Sequence, residues 1–281
     1  MTPFGQVITI RGDKKWETDA ASKVTAERYE NHDTARGRTL ASFALREGGQ
    51  QLAVFLGPAP ESERNQMTTY NYADVHGHRM FYREAGDKSA PKFVLLHGFP
   101  TSSHMYRNLI PKLSDNLHVI APDYIGFGYS DAPNAAKFSY TFDNLAAQVE
   151  ELLFGVLRLE KFSIYVQDYG APVGYRIASK HPEAIDSIVV QNGNAYVEGI
   201  GAAFDPMKPF WANRNKETEK PVRGLLSLET TMFQYTHGAK NPKAISPDNW
   251  TFDQVFLDRP GNDAIQLDLL HNYSSNVALL V

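Results

Sequence analysis

Asp168 stands alone in "IYVQDYGAPVGYR", residues 164–176, where a β-branched apolar run passes into a glycine-bearing, helix-like segment. A carboxylate at a buried strand end is unfavourable unless it is paired or hydrogen-bonded, so this acid needs a reason. The run Val166-Gln167-Asp168-Tyr169-Gly170 has the form of a nucleophile elbow, small-x-nucleophile-x-small, with Asp where serine usually stands and Val in the first small position. Such a turn exposes one side chain at the top of a sheet. Amides at the start of the following helix partly stabilise its charge, and Gly170 sits where that helix must pass close to the strand. A carboxylate attacks carbon bearing a leaving group and forms an ester, whereas serine is suited to acyl transfer.

Two other stretches converge on the same edge. "HGFPTSS", residues 97–103, follows an apolar strand, and Gly98 permits a backbone path that leaves the next amide free to face a ligand. "PDYIGFGYSD", residues 122–131, places two glycines at the end of the next strand. In doubly wound sheets ligands bind outside the carboxyl ends of the strands, where all three stretches lie. Asp123 and Asp131 read as turn-fixing residues. The 9 histidines form no H-E-x-x-H spacing, and "GFGYSD" lacks the Lys and Ser/Thr of a phosphate loop, so neither a metal nor a cofactor is expected. With 0 cysteines, disulfides, thiolate catalysis and Cys-ligated metals are excluded together.

These motifs need a scaffold, and the chain supplies alternating strands and helices. "MTTYNYADVHGHRMFYREAG" reads as a hairpin turning at His76-Gly77. "KFVLLHG", "LHVIAPD", "FSIYVQD" and "IDSIVVQN" are apolar strands; "SSHMYRNLIPKL" reads as a helix capped by Ser102 or Ser103, "TFDNLAAQVEELLFGVLRLE" as a long helix behind Thr141, and "GAPVGYRIASKHP" as a third. The pattern predicts an α/β fold with a mostly parallel sheet, helices on both faces and apolar strands covered on both sides. After Asn194 the segments read as aromatic-rich helices, a helical cap on the ligand edge. The expected organisation is an N-terminal extension without motifs over 1–66, a core over 67–194 and the cap over 195–281. A net charge of −4 without basic runs argues against nucleic acid and for a small apolar or mildly polar substrate. No apolar run reaches the roughly 20 residues of a membrane span, so no membrane association and a soluble, cytoplasmic protein are expected.

Taken in order, "HGFP", "PDYIGFGYSD" and "QDYG" resemble the α/β-hydrolase superfamily, and within it the Asp-nucleophile branch of epoxide hydrolases and haloalkane dehalogenases, over about residues 70–281. The resemblance implies that Asp168 is the nucleophile and that the amides of Phe99 and Tyr169 form the oxyanion hole. His97, Gly98 and Pro100 become motif residues, with His97 bracing the oxyanion loop. Many dehalogenases place a polar residue after His-Gly and a tryptophan after the nucleophile; here those positions are Phe99 and Tyr169. Epoxide hydrolases commonly carry an aromatic after His-Gly and use two cap tyrosines as acids. "HNYSSN" resembles the segment supplying one, Tyr273, and Tyr235 in "MFQYTHG" is the choice for the other.

The implied activity is hydrolysis through an alkyl-enzyme ester, with an epoxide favoured and a haloalkane second. A truncated relative that only binds small molecules is the alternative, and an ordinary esterase the third reading. In the family the chain order is nucleophile, acid, histidine. His181, His237 and His271 follow Asp168, yet none lies after a strand beyond the cap. The C-terminal strands carrying the triad acid and base are therefore expected to be missing, leaving at best a single-turnover alkylating trap.

Overall fold

The computed structural model describes residues 67–279 together with the backbone of three upstream strands. The chain divides into two compact units, Met1–Arg64 and Asn65–Val281. In the first, β1 (Thr25–Asp33), β2 (Arg38–Glu47) and β3 (Gln50–Leu56) form an antiparallel meander. The rest of the expected 1–66 extension lies outside the described residues.

In the second unit β4 (Thr69–Val75), β5 (His78–Ala85), β6 (Lys92–Leu96), β7 (His118–Pro122), β8 (Phe162–Gln167) and β9 (Ile185–Gln191) form a six-stranded sheet in the order β4-β5-β7-β6-β8-β9. β4 and β5 are a hairpin whose turn residues His76 and Gly77 both take positive φ, as a two-residue hairpin turn requires. β5 meets β7 antiparallel, and β7, β6, β8 and β9 pair in parallel. The fold is thus the expected α/β class with a mixed sheet.

The described helices are α1 (Ile110–Leu113), α2 (Phe142–Glu150), α3 (Gly170–Lys180), α4 (Lys208–Ala212), α5 (Lys216–Arg223), α6 (Leu228–Thr236), α7 (Asp248–Leu257) and α8 (Asn262–Val277). No described helix is long and apolar enough to cross a membrane. Three expectations need correction. The helix expected across 102–113 splits into a 3-10 turn, Ser103–Tyr106 capped by Ser102, and the short α1, because Pro111 cannot donate the amide that would join them. The long helix behind the Thr141 cap changes at Glu151 into a π turn running to Val156. Leu152 and Leu153 are still buried there, on the same face as Leu145 and Ala146, while Val156 turns outward. Third, two-sided cover holds for the inner strands but not for β9, where Ile188, Val189 and Val190 are 40–48% exposed. β9 pairs only with β8, and no described helix covers its faces.

The main core sits between the sheet and the helices and takes in Val94, Leu96, Ile120, Ile164, Val166, Phe142, Leu145 and Phe162. Gly170 opens α3 directly against β6: a Cβ there would lie 2.2 Å from the Leu96 carbonyl oxygen. Alanine is the better helix former by about 1 kcal/mol, but here a backbone atom would have to move. Gly170→Ala is expected to lower the urea unfolding free energy by about 1–3 kcal/mol, the usual range for overpacking.

Candidate active site

β7, β6 and β8 lie side by side, so the residues following them meet at one edge: Asp123 after β7, His97 after β6 and Asp168 after β8. Asp168 takes φ 50°, a left-handed backbone that L residues adopt at a cost of about 1–2 kcal/mol. The elbow thereby turns its carboxylate towards the oxyanion loop, where the Phe99 amide donates to Oδ1 at 2.7 Å. The Tyr169 amide also favours the charged form of this carboxylate. Burial pushes the Asp168 carboxyl above the usual range, and these two amides pull it back. The expected oxyanion donors and the expected nucleophile are therefore one hydrogen-bonded cluster. Close approach depends on Gly98, since a Cβ at that position would lie 2.4 Å from the Asp168 Cβ.

His97 is fully buried beneath this loop. Its Nδ1 donates to the Gly98 carbonyl at 3.0 Å, and its Nε2 accepts from the Tyr124 amide at 3.2 Å, which fixes the neutral tautomer. The ring stacks on Tyr124, with centroids 4.1 Å apart. Both nitrogens are occupied in bracing the loop. Asp123, also buried, accepts from the Ser103 amide and the Tyr129 amide, each at 2.8 Å, and so staples the two loops together. Asp131 accepts from the Arg79 amide on β5 at 2.8 Å. The cis Phe99-Pro100 bond lies within the oxyanion loop.

Above Asp168 stands an aromatic wall that sequence reading found only in part. Tyr273 on α8 stacks on Tyr169 (5.9 Å), Phe204 (5.6 Å) and Trp211 (6.1 Å) and meets Phe142 edge-on (5.7 Å). Its position is fixed by the preceding residue, as the Asn272 Oδ1 accepts from the Phe142 amide at 2.9 Å. Burial, then the Asp168 charge, pushes the Tyr273 phenol up to about 12, while the nearby Asn194 side chain opposes the shift. Tyr273 and Asn194 also line a groove of about 730 Å³ between α2, α3 and the end of α8, which does not reach the Asp168 carboxylate. The Trp211 indole N–H donates to the Leu270 carbonyl at 2.8 Å and is not free for a ligand. Tyr169 is 3% exposed, and its hydroxyl has no partner among the described residues. The sequence signal for Phe142, Phe204 and Trp211 was only their aromatic type, which also suits core packing.

Tyr235 is placed differently from Tyr273. Its hydroxyl donates to Asp253 Oδ2 on α7 at 2.6 Å, and no hydrogen bond joins it to Asp168 among the described residues. Among the described residues, no group of three His, Asp or Glu side chains is disposed to hold a metal ion.

Residues 91–275 match the family model for the alpha/beta hydrolase fold. The chain belongs to the α/β-hydrolase family. This α/β-hydrolase is 42% identical to an uncharacterized hydrolase of Saccharomyces cerevisiae over 207 residues, covering 72% of this chain and 70% of the yeast protein. It is 43% identical to a haloalkane dehalogenase of Mycobacterium marinum over 116 residues, 41% of this chain and 38% of that enzyme, so the match spans well under half of the dehalogenase. The solved epoxide hydrolase CorEH shares its fold, with a TM-score of 0.60 at 22% identity, over 73% of this chain and 74% of the other.

The buried His97 gives this α/β-hydrolase a pH-dependent term. Burial holds the imidazole down at about 4, below its ordinary 6.5, so the unfolded chain takes up a proton first. Stability from this residue is present above about pH 6.5 and is lost as pH falls towards 4, a difference of about 3 kcal/mol. Urea midpoints measured across that window should fall in the wild type, and the part due to His97 should be absent in His97→Gln.

Proposed function

We propose that this α/β-hydrolase attacks a saturated carbon through Asp168, with an epoxide as the favoured substrate. The observation that carries the reading is the elbow carboxylate at positive φ, held by the Phe99 and Tyr169 amides beneath the phenol of Tyr273. An Asp168 oxygen forms a C–O bond to an epoxide carbon, the ring C–O bond breaks with its electron pair on oxygen, and that oxygen takes the Tyr273 proton. A phenol suits this step because it stays neutral at pH 7 and still donates to a developing alkoxide. Once the ester has formed, the Phe99 and Tyr169 amides face the oxygen that becomes negative when the ester is attacked. Tyr169, whose ring stacks on that of Tyr273, offers a second hydroxyl; the Tyr235 hydroxyl donates to Asp253.

The second reading is a haloalkane, favoured by identity to the mycobacterial dehalogenase. Commitment of the Trp211 N–H to a backbone carbonyl weighs against it. Hydrolysis of the ester needs a base to activate water, and no histidine hydrogen-bonds Asp168 among the described residues; His181 lies against Glu150, His237 against Phe233 and His271 against Phe210. With no such base among the described residues, the expected product is an ester on Asp168 that accumulates. Intact-mass analysis after incubation with a small epoxide should show one adduct, mapped to Asp168 and absent in Asp168→Asn. Tyr273→Phe should slow this alkylation by about 10²-fold, the lower range for a general acid, and leave alkylation by a haloalkane nearly unchanged. Equal loss on both substrates would exclude the acid role, and diol formation over many turnovers would exclude the accumulating ester.

A further inference from the structure

A second cavity, of about 410 Å³, lies at the amino ends of the parallel strands, the opposite edge of the sheet from Asp168. It forms where β5 ends, β6 and β7 begin and the 157–161 loop leads into β8. Strand register assembles its floor. Lys92 stands opposite His118, and Glu84 stands opposite Ile120 two residues further on, so Lys92, His118 and Glu84 share one face of the sheet. The side chains of His118 and Glu84 are only 6% and 10% exposed. His118 Nε2 donates to Glu84 Oε1 at 2.7 Å, Lys88 lies 3.2 Å from the same oxygen, and Asn71 Nδ2 reaches Oε2 at 3.4 Å. The Glu84 charge is thereby satisfied within the protein. The ring of His118 is not: its Nδ1 is buried and has no hydrogen-bond partner among the described residues.

The charges around this floor are unbalanced. Four cations, Lys88, Lys92, Arg158 and Lys161, stand in the wall against two carboxylates, Glu84 and Glu160. Of the four, only Lys88 is in an ion pair among the described residues. Asp87 lies near Lys92 and His118 but accepts from the Ser89 amide and hydroxyl, each at 2.8 Å. Arg158 takes its place in the wall at φ 53°, a left-handed backbone that a residue with a Cβ adopts only at a cost.

We propose that this cavity binds a phosphate monoester, with the phosphate held by Lys92, Arg158 and Lys161 over the His118 ring. The excess of two positive charges matches such a group, which carries about two negative charges at pH 7, whereas a carboxylate would offset half of it. The guanidinium of Arg158 supplies a donor fork suited to phosphate oxygens. An anion here also favours the charged form of the imidazole; Nε2 is engaged with Glu84, so the added proton goes to the unmet Nδ1. The volume lies in the range of small-molecule pockets and leaves room beside the phosphate for an organic group against Leu157 and Leu159. This site is independent of the chemistry at Asp168.

Titration of the full chain with glycerol 3-phosphate, inorganic phosphate and acetate tests the assignment, followed by calorimetry and by the carbon-bound ring protons of His118 in NMR spectra, assigned with His118→Gln. Glycerol 3-phosphate should bind saturably with a Kd on the order of 1 mM or below, shift the His118 signals and weaken in about 1 M salt. Inorganic phosphate should bind less tightly, and acetate should not saturate. Lys92→Gln should weaken the ester about tenfold, as for one hydrogen bond to a charged group. Arg158→Gly should weaken it by as much and yet keep or raise the melting temperature without ligand, because glycine takes φ 53° without strain. Equal affinity for phosphate and its ester would overturn the monoester assignment in favour of free phosphate. Absence of saturable binding, acetate binding as tightly as phosphate, or wild-type affinity in both variants would overturn the site itself.

Discussion

The bond from the Phe99 amide to Asp168 is the constraint on which the remaining site depends. It joins the residues after two adjacent parallel strands, so it exists only if β6 and β8 are in register and both turns are tight. Each turn relies on a missing side chain: Gly98 lets the loop approach Asp168, and Gly170 lets α3 start against Leu96. The buried carboxylate, unfavourable by itself, becomes tolerable because two backbone donors converge on it. An acid stripped of water but held by two amides is also well placed to act as a nucleophile.

Below that bond the structure is rigid by construction. His97 and Asp123 each satisfy backbone donors from neighbouring loops while fully buried, and an unsatisfied donor there would cost about 1–3 kcal/mol. Above it, contacts are of another kind. α8 carries Tyr273 in an aromatic stack, and α7 and the turn after it reach the loops through an Arg107–Asn249 hydrogen bond of 2.7 Å, a His104–Phe252 stack at 3.9 Å and an Arg259 hydrogen bond to the Gly128 carbonyl of 2.6 Å. Single side chains rather than paired strands connect this layer to the sheet. That division places the donors that hold Asp168 on the stiff part and the Tyr273 phenol on the part joined by side chains.

The proposed preference for an epoxide rests on which donors remain available. The Trp211 N–H and the Tyr235 hydroxyl are spent within the protein, whereas the Tyr273 ring stacks on Tyr169 beside the elbow and the Tyr169 hydroxyl is buried without a partner among the described residues. Neutral phenols suit a leaving oxygen better than they suit a halide, because the oxygen can accept a proton outright.

How much of this was legible beforehand depended on range. The hairpin at His76-Gly77, the Thr141 cap, the strand–helix rhythm and the elbow at Asp168 are local: turn chemistry, side-chain caps and hydrophobic period act within a few residues, so type and spacing determine them. The meeting of Phe99 with Asp168, 69 positions apart, was legible through the ordered motifs, since parallel pairing brings successive strand ends to one edge. Only the tertiary structure decided the rest. That Tyr235 serves Asp253 and Tyr273 faces Tyr169, that the helix behind Thr141 ends in a π turn with Val156 exposed, and that β9 keeps its valines exposed all depend on which distant element packs where. A tyrosine in an aromatic-rich helix looks the same in sequence whether its hydroxyl meets a carboxylate or a substrate; the packing of α6, α7 and α8 makes the difference.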